Sequence, residues 1–184
     1  MDNGVPIKLV IIGGDNSGKT KFIQYLMGQN FDINSYESSL SAQFYSKIIN
    51  FHEQTINLAI WDTVGQERYE ALIKIFMKNA CLIFLFYDSS DKASFERAKK
   101  IYNRVKDFWE IKEAVYVLVS SKYDLYINYK DNIQKVSEEE ALEFASNNNM
   151  PFAHISIVEK YCNGINELFD KALEEYFKRK KLIK

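Results

Sequence analysis

Apolar and polar positions change period several times along the chain, and each change marks an element. Pro6 to Ile12 is almost continuously apolar and reads as a buried strand. From Lys19 to Met27 the apolar residues Phe22, Ile23, Leu26 and Met27 share one face at helical spacing. Gly28 to Ser41 is rich in Ser and Asn, shows neither period and reads as a loop. Strict alternation returns over Thr55 to Asp62, where Ile56, Leu58 and Ile60 oppose Asn57, Ala59 and Trp61. With Gln43 to Phe51 before it and His52-Glu53-Gln54 between, the pattern predicts a hairpin, the one antiparallel piece of the fold.

Beyond Tyr69 the chain alternates regularly. A helical stretch to Asn79 precedes a buried strand over Cys81 to Tyr87. Ser94 to Trp109 carries Phe95, Ala98, Tyr102, Val105 and Trp109 three or four apart, and Ala114 to Val119 is β-branched. Ser137-Glu138-Glu139-Glu140 is a capping box opening a helix to Asn147; Pro151 to Ser156 is a last strand, and a final helix bears Ile165, Leu168, Phe169, Ala172, Leu173, Tyr176 and Phe177 on one stripe. Helices between strands predict an α/β fold with a mostly parallel six-stranded sheet, one antiparallel edge strand and helices on both faces. Ligands of such sheets sit at the carboxyl ends of the strands.

Length and composition narrow this picture. At 184 residues, 47% hydrophobic and 27% charged, the chain is expected to be a single domain over 1–184 with a basic tail at 178–184. A formal charge of −1 gives no global attraction to nucleic acid, so none is expected as a partner. Cys81 and Cys162 read as reduced thiols of a cytoplasmic protein. The segment Met1-Asp2-Asn3-Gly4 lacks the marks of a signal peptide or a myristoylation site, and the longest apolar run, Ala80 to Tyr87, is too short for a membrane span.

The candidate chemistry begins at Gly13-Gly14-Asp15-Asn16-Ser17-Gly18-Lys19-Thr20, between the first strand and the first helix. It matches G-x-x-x-x-G-K-[ST], a phosphate loop. Glycines let the backbone wrap a β-phosphate, so the N–H groups around Asp15, Asn16, Ser17 and Gly18 point inward, helped by the positive end of the helix. Lys19 adds a charge bridging the β- and γ-phosphates, and the Thr20 hydroxyl suits Mg²⁺. Phosphoryl transfer then needs positioning and charge neutralisation, and Asp62, ending a strand expected beside the first, is placed to hold the metal side. Gly65 leaves room for an N–H near the γ-phosphate, and the Gln66 amide follows where an attacking water would be oriented. A small-molecule kinase would use the same loop, but Arg68, Arg97, Arg104 and Arg179 are scattered and form no acceptor lid.

Ile60-Trp61-Asp62-Thr63-Val64-Gly65-Gln66-Glu67-Arg68-Tyr69 resembles the WDTAGQERF segment of Rab-type small GTPases of the Ras superfamily, with matches in order from Lys8 to about Phe177. The resemblance implies a P-loop small GTPase fold that binds GTP or GDP with Mg²⁺ and hydrolyses GTP slowly. It implies a molecular switch in vesicle and membrane traffic, on the cytosolic face of an endomembrane. Switch I would span Tyr36 to Gln43 and switch II Gly65 to about Met77, the regions through which effectors, an exchange factor and a GTPase-activating protein bind. The switch I hydroxyl that joins Thr20 and Asp62 at the metal falls on Ser39, and Gln66 and Lys19 take the catalytic positions. Leu40-Ser41-Ala42-Gln43-Phe44 stands where Rab proteins show an IGVDF-like segment; Phe44, Trp61 and Phe76 fall on an aromatic triad that effectors read, or form a half-buried cluster without a partner. Ser121-Lys122-Tyr123-Asp124 resembles Asn-Lys-x-Asp: Asp124 can accept both N1–H and the exocyclic amine of guanine, and the stem of Lys122 can lie over the base. Ser156-Ile157-Val158 stands for Ser-Ala-Lys, where the Ile157 N–H can reach guanine O6.

The departures set further expectations. Ser121 replaces an Asn that ties the base loop to the phosphate loop, and Val158 replaces a Lys, so guanine binding is expected to be weakened but retained. Asp15 fits an Arf-like phosphate loop, yet stands close to where the attacking water would pack. A hydrolysis-deficient nucleotide-binding scaffold that recruits partners is therefore the alternative. The tail Lys178-Arg179-Lys180-Lys181-Leu182-Ile183-Lys184 suits reversible contact with an anionic leaflet, at about 1 kcal/mol per cation, or a solvated helix end with cations near its negative pole. Rab proteins usually end in prenylated cysteines, and no cysteine follows Cys162.

Overall fold

The computed structural model describes residues 5–32, 42–63, 70–108, 113–128, 135–158 and 164–180. Ser39, Gly65, Gln66, Trp109, Cys162 and tail residues 181–184 lie outside them, as do residues 36–41 of the expected switch I and 65–69 of the expected switch II. Six strands form one sheet: β1 (Ile7–Gly13), β2 (Gln43–Phe51), β3 (Gln54–Asp62), β4 (Leu82–Asp88), β5 (Val115–Ser121) and β6 (Phe152–His154). Their order is β2-β3-β1-β4-β5-β6, with only β2 antiparallel to its neighbour. Helices α1 (Lys19–Leu26), α2 (Glu70–Met77), α3 (Lys92–Val105), α4 (Tyr123–Asn128), α5 (Glu138–Asn147) and α6 (Ile165–Arg179) complete the fold.

The two-residue side-chain period of a strand, with both faces covered, explains why the central strands are mostly apolar. Leu9 and Ile11 of β1, with Leu82, Phe84 and Phe86 of β4, pack against Phe22 and Ile23 of α1 and Leu168, Phe169, Ala172 and Leu173 of α6. Val10 and Ile12, with Ile83, Leu85 and Tyr87, face the other way, against Ile73 and Met77 of α2, Phe95 and Ala98 of α3 and Ala141 and Ala145 of α5. Both faces are thereby covered, and the carboxyl ends of the parallel strands β1, β3, β4 and β5 lie along one edge. Parallel pairing of Ile11 with Asp62 and of Gly13 with Phe86 aligns the three strand ends around the phosphate loop.

Several boundaries differ from the sequence reading, each for a local reason. The hairpin turn has two residues, not three, because Gln54 already pairs with Phe51; His52 (φ 43°) and Glu53 (φ 33°) take the positive φ of a tight hairpin turn without the Asn-Gly that usually marks it. Helix α3 begins before Ser94, since the Asp91 side chain accepts from the Ala93 N–H at 2.8 Å and caps it. Cys81 precedes β4, which ends one residue past Tyr87 at Asp88. Helix α4 was not foreseen: six residues show no readable apolar period. The expected cap of α5 is made, Ser137 Oγ accepting from the Glu140 N–H at 3.1 Å.

Two features of α6 bear on the site and the tail. Gly164 caps its start at φ 75°, pressed so close to β6 that an added Cβ would overlap the His154 carbonyl oxygen. At its other end Arg179 Nε donates to Glu175 at 2.7 Å and Nη2 to the Asn149 carbonyl at 3.1 Å, while Lys180 Nζ meets Glu113 at 2.6 Å. These tail cations are engaged within the fold. Among the described residues no helix is long and apolar enough to cross a membrane.

Candidate functional site

The phosphate loop leaves β1 through Gly13 at φ 151°, a conformation side chains rarely adopt, where a Cβ would also overlap the Phe86 carbonyl oxygen. The loop then turns over Asp15 and Asn16, both exposed, and enters α1 through Gly18 at φ 88°. Buried Lys19 folds back over it, Nζ donating to the carbonyls of Gly13 at 2.6 Å and Gly14 at 2.9 Å. Its ammonium is thus held at the loop that is to receive an anion. Ser17 Oγ, fully buried, has no hydrogen-bond partner among the described residues.

Thr20 of α1 and Asp62 at the end of β3 meet: Thr20 Oγ1 donates to Asp62 Oδ2 at 3.0 Å. Asp62 is buried, and its Oδ1 has no hydrogen-bond partner among the described residues. Burial pushes its carboxyl above its ordinary value of 3.8, against the opposing pull of the Thr20 bond and the Lys19 charge. An orphaned buried carboxylate oxygen beside a hydroxyl suits a hard divalent cation sharing its shell with phosphate oxygens and waters. Such a cation would supply charge neutralisation, held by Thr20 and Asp62.

The raised pKa has a thermodynamic consequence. Because the folded state holds this proton more tightly than the unfolded chain, Asp62 favours folding fully only below about 4, and that contribution is lost as pH rises through the raised value. Without nucleotide and metal, Asp62→Asn should therefore melt above the parent at pH 7. Scanning calorimetry should show the gap closing near pH 4. A variant that melts lower at neutral pH would mean the carboxylate is already compensated.

A cavity of about 330 Å³ opens beside the phosphate loop, lined by Asn16, Gly18, Lys21 and Phe22 on one side and by Ser121, Lys122, Asp124, Leu125, Ile155, Ile157 and Val158 on the other. Apolar walls with one buried carboxylate describe a pocket for a flat, partly polar ring. Ser156 Oγ donates to Asp124 Oδ1 at 2.7 Å and accepts from the Val158 N–H at 3.2 Å, so one hydroxyl links the two expected base loops. Lys122, at φ 55°, reaches Asp88 Oδ2 at 2.7 Å and Asn16 Oδ1 at 3.3 Å. Phe22 and Leu125 are pocket walls the motifs did not announce; only their places beside Lys21 and Asp124 could have suggested them.

Ser121 keeps the tie between base loop and phosphate loop that its Ser-for-Asn exchange put in question. Its Oγ lies 2.7 Å from the Ser17 carbonyl oxygen and 2.8 Å from that of Tyr87. A hydroxyl has one proton, so it serves one of these acceptors at a time, where an amide could serve two. Ser121→Ala should cost about 1 kcal/mol of pocket order, read as a roughly five- to tenfold faster release of bound nucleotide. An unchanged release rate would show that the two loops are tied elsewhere.

The expected aromatic triad is contiguous: Phe44 and Trp61 stand 5.2 Å apart between ring centroids, and Trp61 and Phe76 6.0 Å. Phe44 is 55% exposed, and Lys8 Nζ lies 5.2 Å from the Trp61 ring. The rings cross β2, β3 and α2, with Trp61 and Phe76 half-buried beside the exposed Phe44.

A sequence model of the Ras family matches residues 8–178, which is nearly every element just described. The chain belongs to the Ras family. Its similarity runs to Rab-type members: the Ras-related protein Rab-21 of Geodia cydonium is 33% identical over 90% of this chain and 68% of its own length. The Ras-related protein RABF2a of Arabidopsis thaliana is 30% identical over 91% of this chain and 80% of its own, and the GTP-binding protein ypt3 of Schizosaccharomyces pombe 29% over 93% and 76%. Members of the Ras family are guanine-nucleotide-binding GTPases that use Mg²⁺ and work through effectors, exchange factors and activating proteins.

Proposed function

We propose that this Ras-family chain is a GTP/GDP switch regulating vesicle and membrane traffic, with Mg²⁺ held by Thr20, Asp62 and Ser39. The observation that carries the reading is the pairing, at one sheet edge, of the Lys19-capped phosphate loop with a base pocket holding Asp124. Asp124, fixed by Ser156, selects guanine by accepting from N1–H and the exocyclic amine, a pattern adenine does not present. Asp15, Asn16, Ser17 and Gly18 offer backbone N–H groups to the phosphates, with Lys19 neutralising charge that develops in transfer. Ser39 and Gly65, meeting the third phosphate, draw the two switches inward, and its loss releases them. Gln66 orients the attacking water. Phe44, Trp61 and Phe76 present an effector-reading surface, and the basic tail adds peripheral contact with the cytosolic face of an endomembrane.

Hydrolysis is slow without help, on the order of 10⁻⁴ per second. Single-turnover phosphate release, measured with Mg²⁺ and no acceptor molecule, should show that rate in the parent and its loss in Gln66→Leu. Tight GTP binding with no release from either protein would favour the scaffold reading, for which the exposed Asp15 of the phosphate loop is the structural motive.

A further inference from the structure

We infer that Asp88 is a positioning residue of the nucleotide site: its carboxylate anchors the Lys122 ammonium so that the lysine stem is held as a wall of the base pocket. Asp88 ends β4 and belongs to none of the sequence motifs, yet its side chain is only 8% exposed. A carboxylate so buried needs partners for both oxygens. Oδ1 accepts from the Ser90 N–H at 2.9 Å and the Ser90 hydroxyl at 2.7 Å. Oδ2 lies 2.7 Å from Lys122 Nζ.

Lys122 is consequently fixed at both ends. Its carbonyl accepts from Ser89 Oγ at 3.1 Å, and the Ser89 N–H donates to the Ser121 carbonyl at 3.0 Å, so the turn after β4 clasps the backbone of the base loop. Its ammonium is drawn to Asp88 and donates to Asn16 Oδ1 at 3.3 Å. Between these anchors the stem lines the pocket. A lysine free at its tip samples many rotamers and would keep its charge in water, whereas a pinned one presents apolar length to a ring face without ordering anew when the ligand arrives. Asp88 acts on the ligand through Lys122, and also ties the pocket wall to Asn16 of the phosphate loop.

This inference rests on the guanine-nucleotide reading of the pocket, and the test separates the two. Dissociation of a fluorescent GDP analogue is followed for the parent, Asp88→Asn, Lys122→Met and the double variant. Asp88→Asn should release GDP about tenfold faster, within the range of couplings between contacting residues, and Lys122→Met, which keeps most of the stem but loses the anchor, by a similar factor. In the Lys122→Met background the Asp88 change should add less than about twofold. Ser90→Ala, which removes the hydroxyl bond to Oδ1 and keeps the N–H bond, should stay within about twofold of the parent. Equal acceleration by Asp88→Asn in both backgrounds would assign Asp88 to the turn alone and overturn the inference. Lys122→Met releasing GDP like the parent would overturn it even if Asp88→Asn did not fold. A parent that retains no GDP would overturn the pocket reading with it.

Discussion

Asp124→Asn should lower GDP affinity by about 10²- to 10⁴-fold while leaving the fold intact. Among the described residues the carboxylate is the one charged acceptor lining the pocket, and two charge-assisted hydrogen bonds from N1–H and the exocyclic amine are worth about 3–6 kcal/mol together. An amide offers one acceptor and replaces the other with a donor, which faces a donor on guanine. The Ser156 hydroxyl can still donate to an amide oxygen at the 2.7 Å Oδ1 position, so the loops should stay together. Xanthine carries a carbonyl where guanine carries its amine, so XDP should regain much of the lost affinity in the variant. Titration with fluorescent GDP and XDP reads both effects. A variant that binds GDP like the parent would remove Asp124 from base recognition.

Gly164→Ala should be the most damaging Gly-to-Ala exchange among the described residues, destabilising by at least about 3 kcal/mol. The residue sits at φ 75°, where a Cβ costs about 1–2 kcal/mol, and the methyl would overlap the His154 carbonyl, which is backbone and cannot rotate away. Helix α6 must then lift from β6, opening the packing of Leu168 and Phe169 against Ile155 and Ala153. Because β6 runs directly into Ser156, the nucleotide pocket should loosen as well. For a chain of this length the melting temperature should fall by about 6–12 °C. A fall of less than 2 °C would mean that the helix start relaxes without disturbing the sheet.

Much of this molecule is legible in its sequence wherever one physical demand dominates. The nearly continuous apolar runs of β1 and β4 follow from burial on both faces, and the glycines of the phosphate loop from a backbone that must pass close to Phe86 and enter α1 at positive φ. The meeting of Thr20 with Asp62 follows from the pairing of β1 with β3. Legibility fails where the determinant is tertiary. Helix α4 is too short to show a period, and its place is set by the strand end before it and by the bond from Asn128 Nδ2 to the Asp124 carbonyl. His52 and Glu53 adopt a glycine-like turn because the register of β2 against β3 demands it. Ser121 makes with a shorter side chain the tie that an Asn makes in the family, because Gly18 lets its hydroxyl approach the phosphate loop closely. Asp88 reads as an ordinary strand end until Lys122 is seen across from it.

The central claim is that one edge of the sheet binds a guanine nucleotide together with a divalent cation. Its most direct test is displacement of a fluorescent GDP analogue, with Mg²⁺ present and after chelation, using GTP and ATP as competitors. The account predicts retention that loosens on chelation, displacement by GTP, and indifference to excess ATP. Equal displacement by ATP, or retention unaffected by chelation, would contradict it.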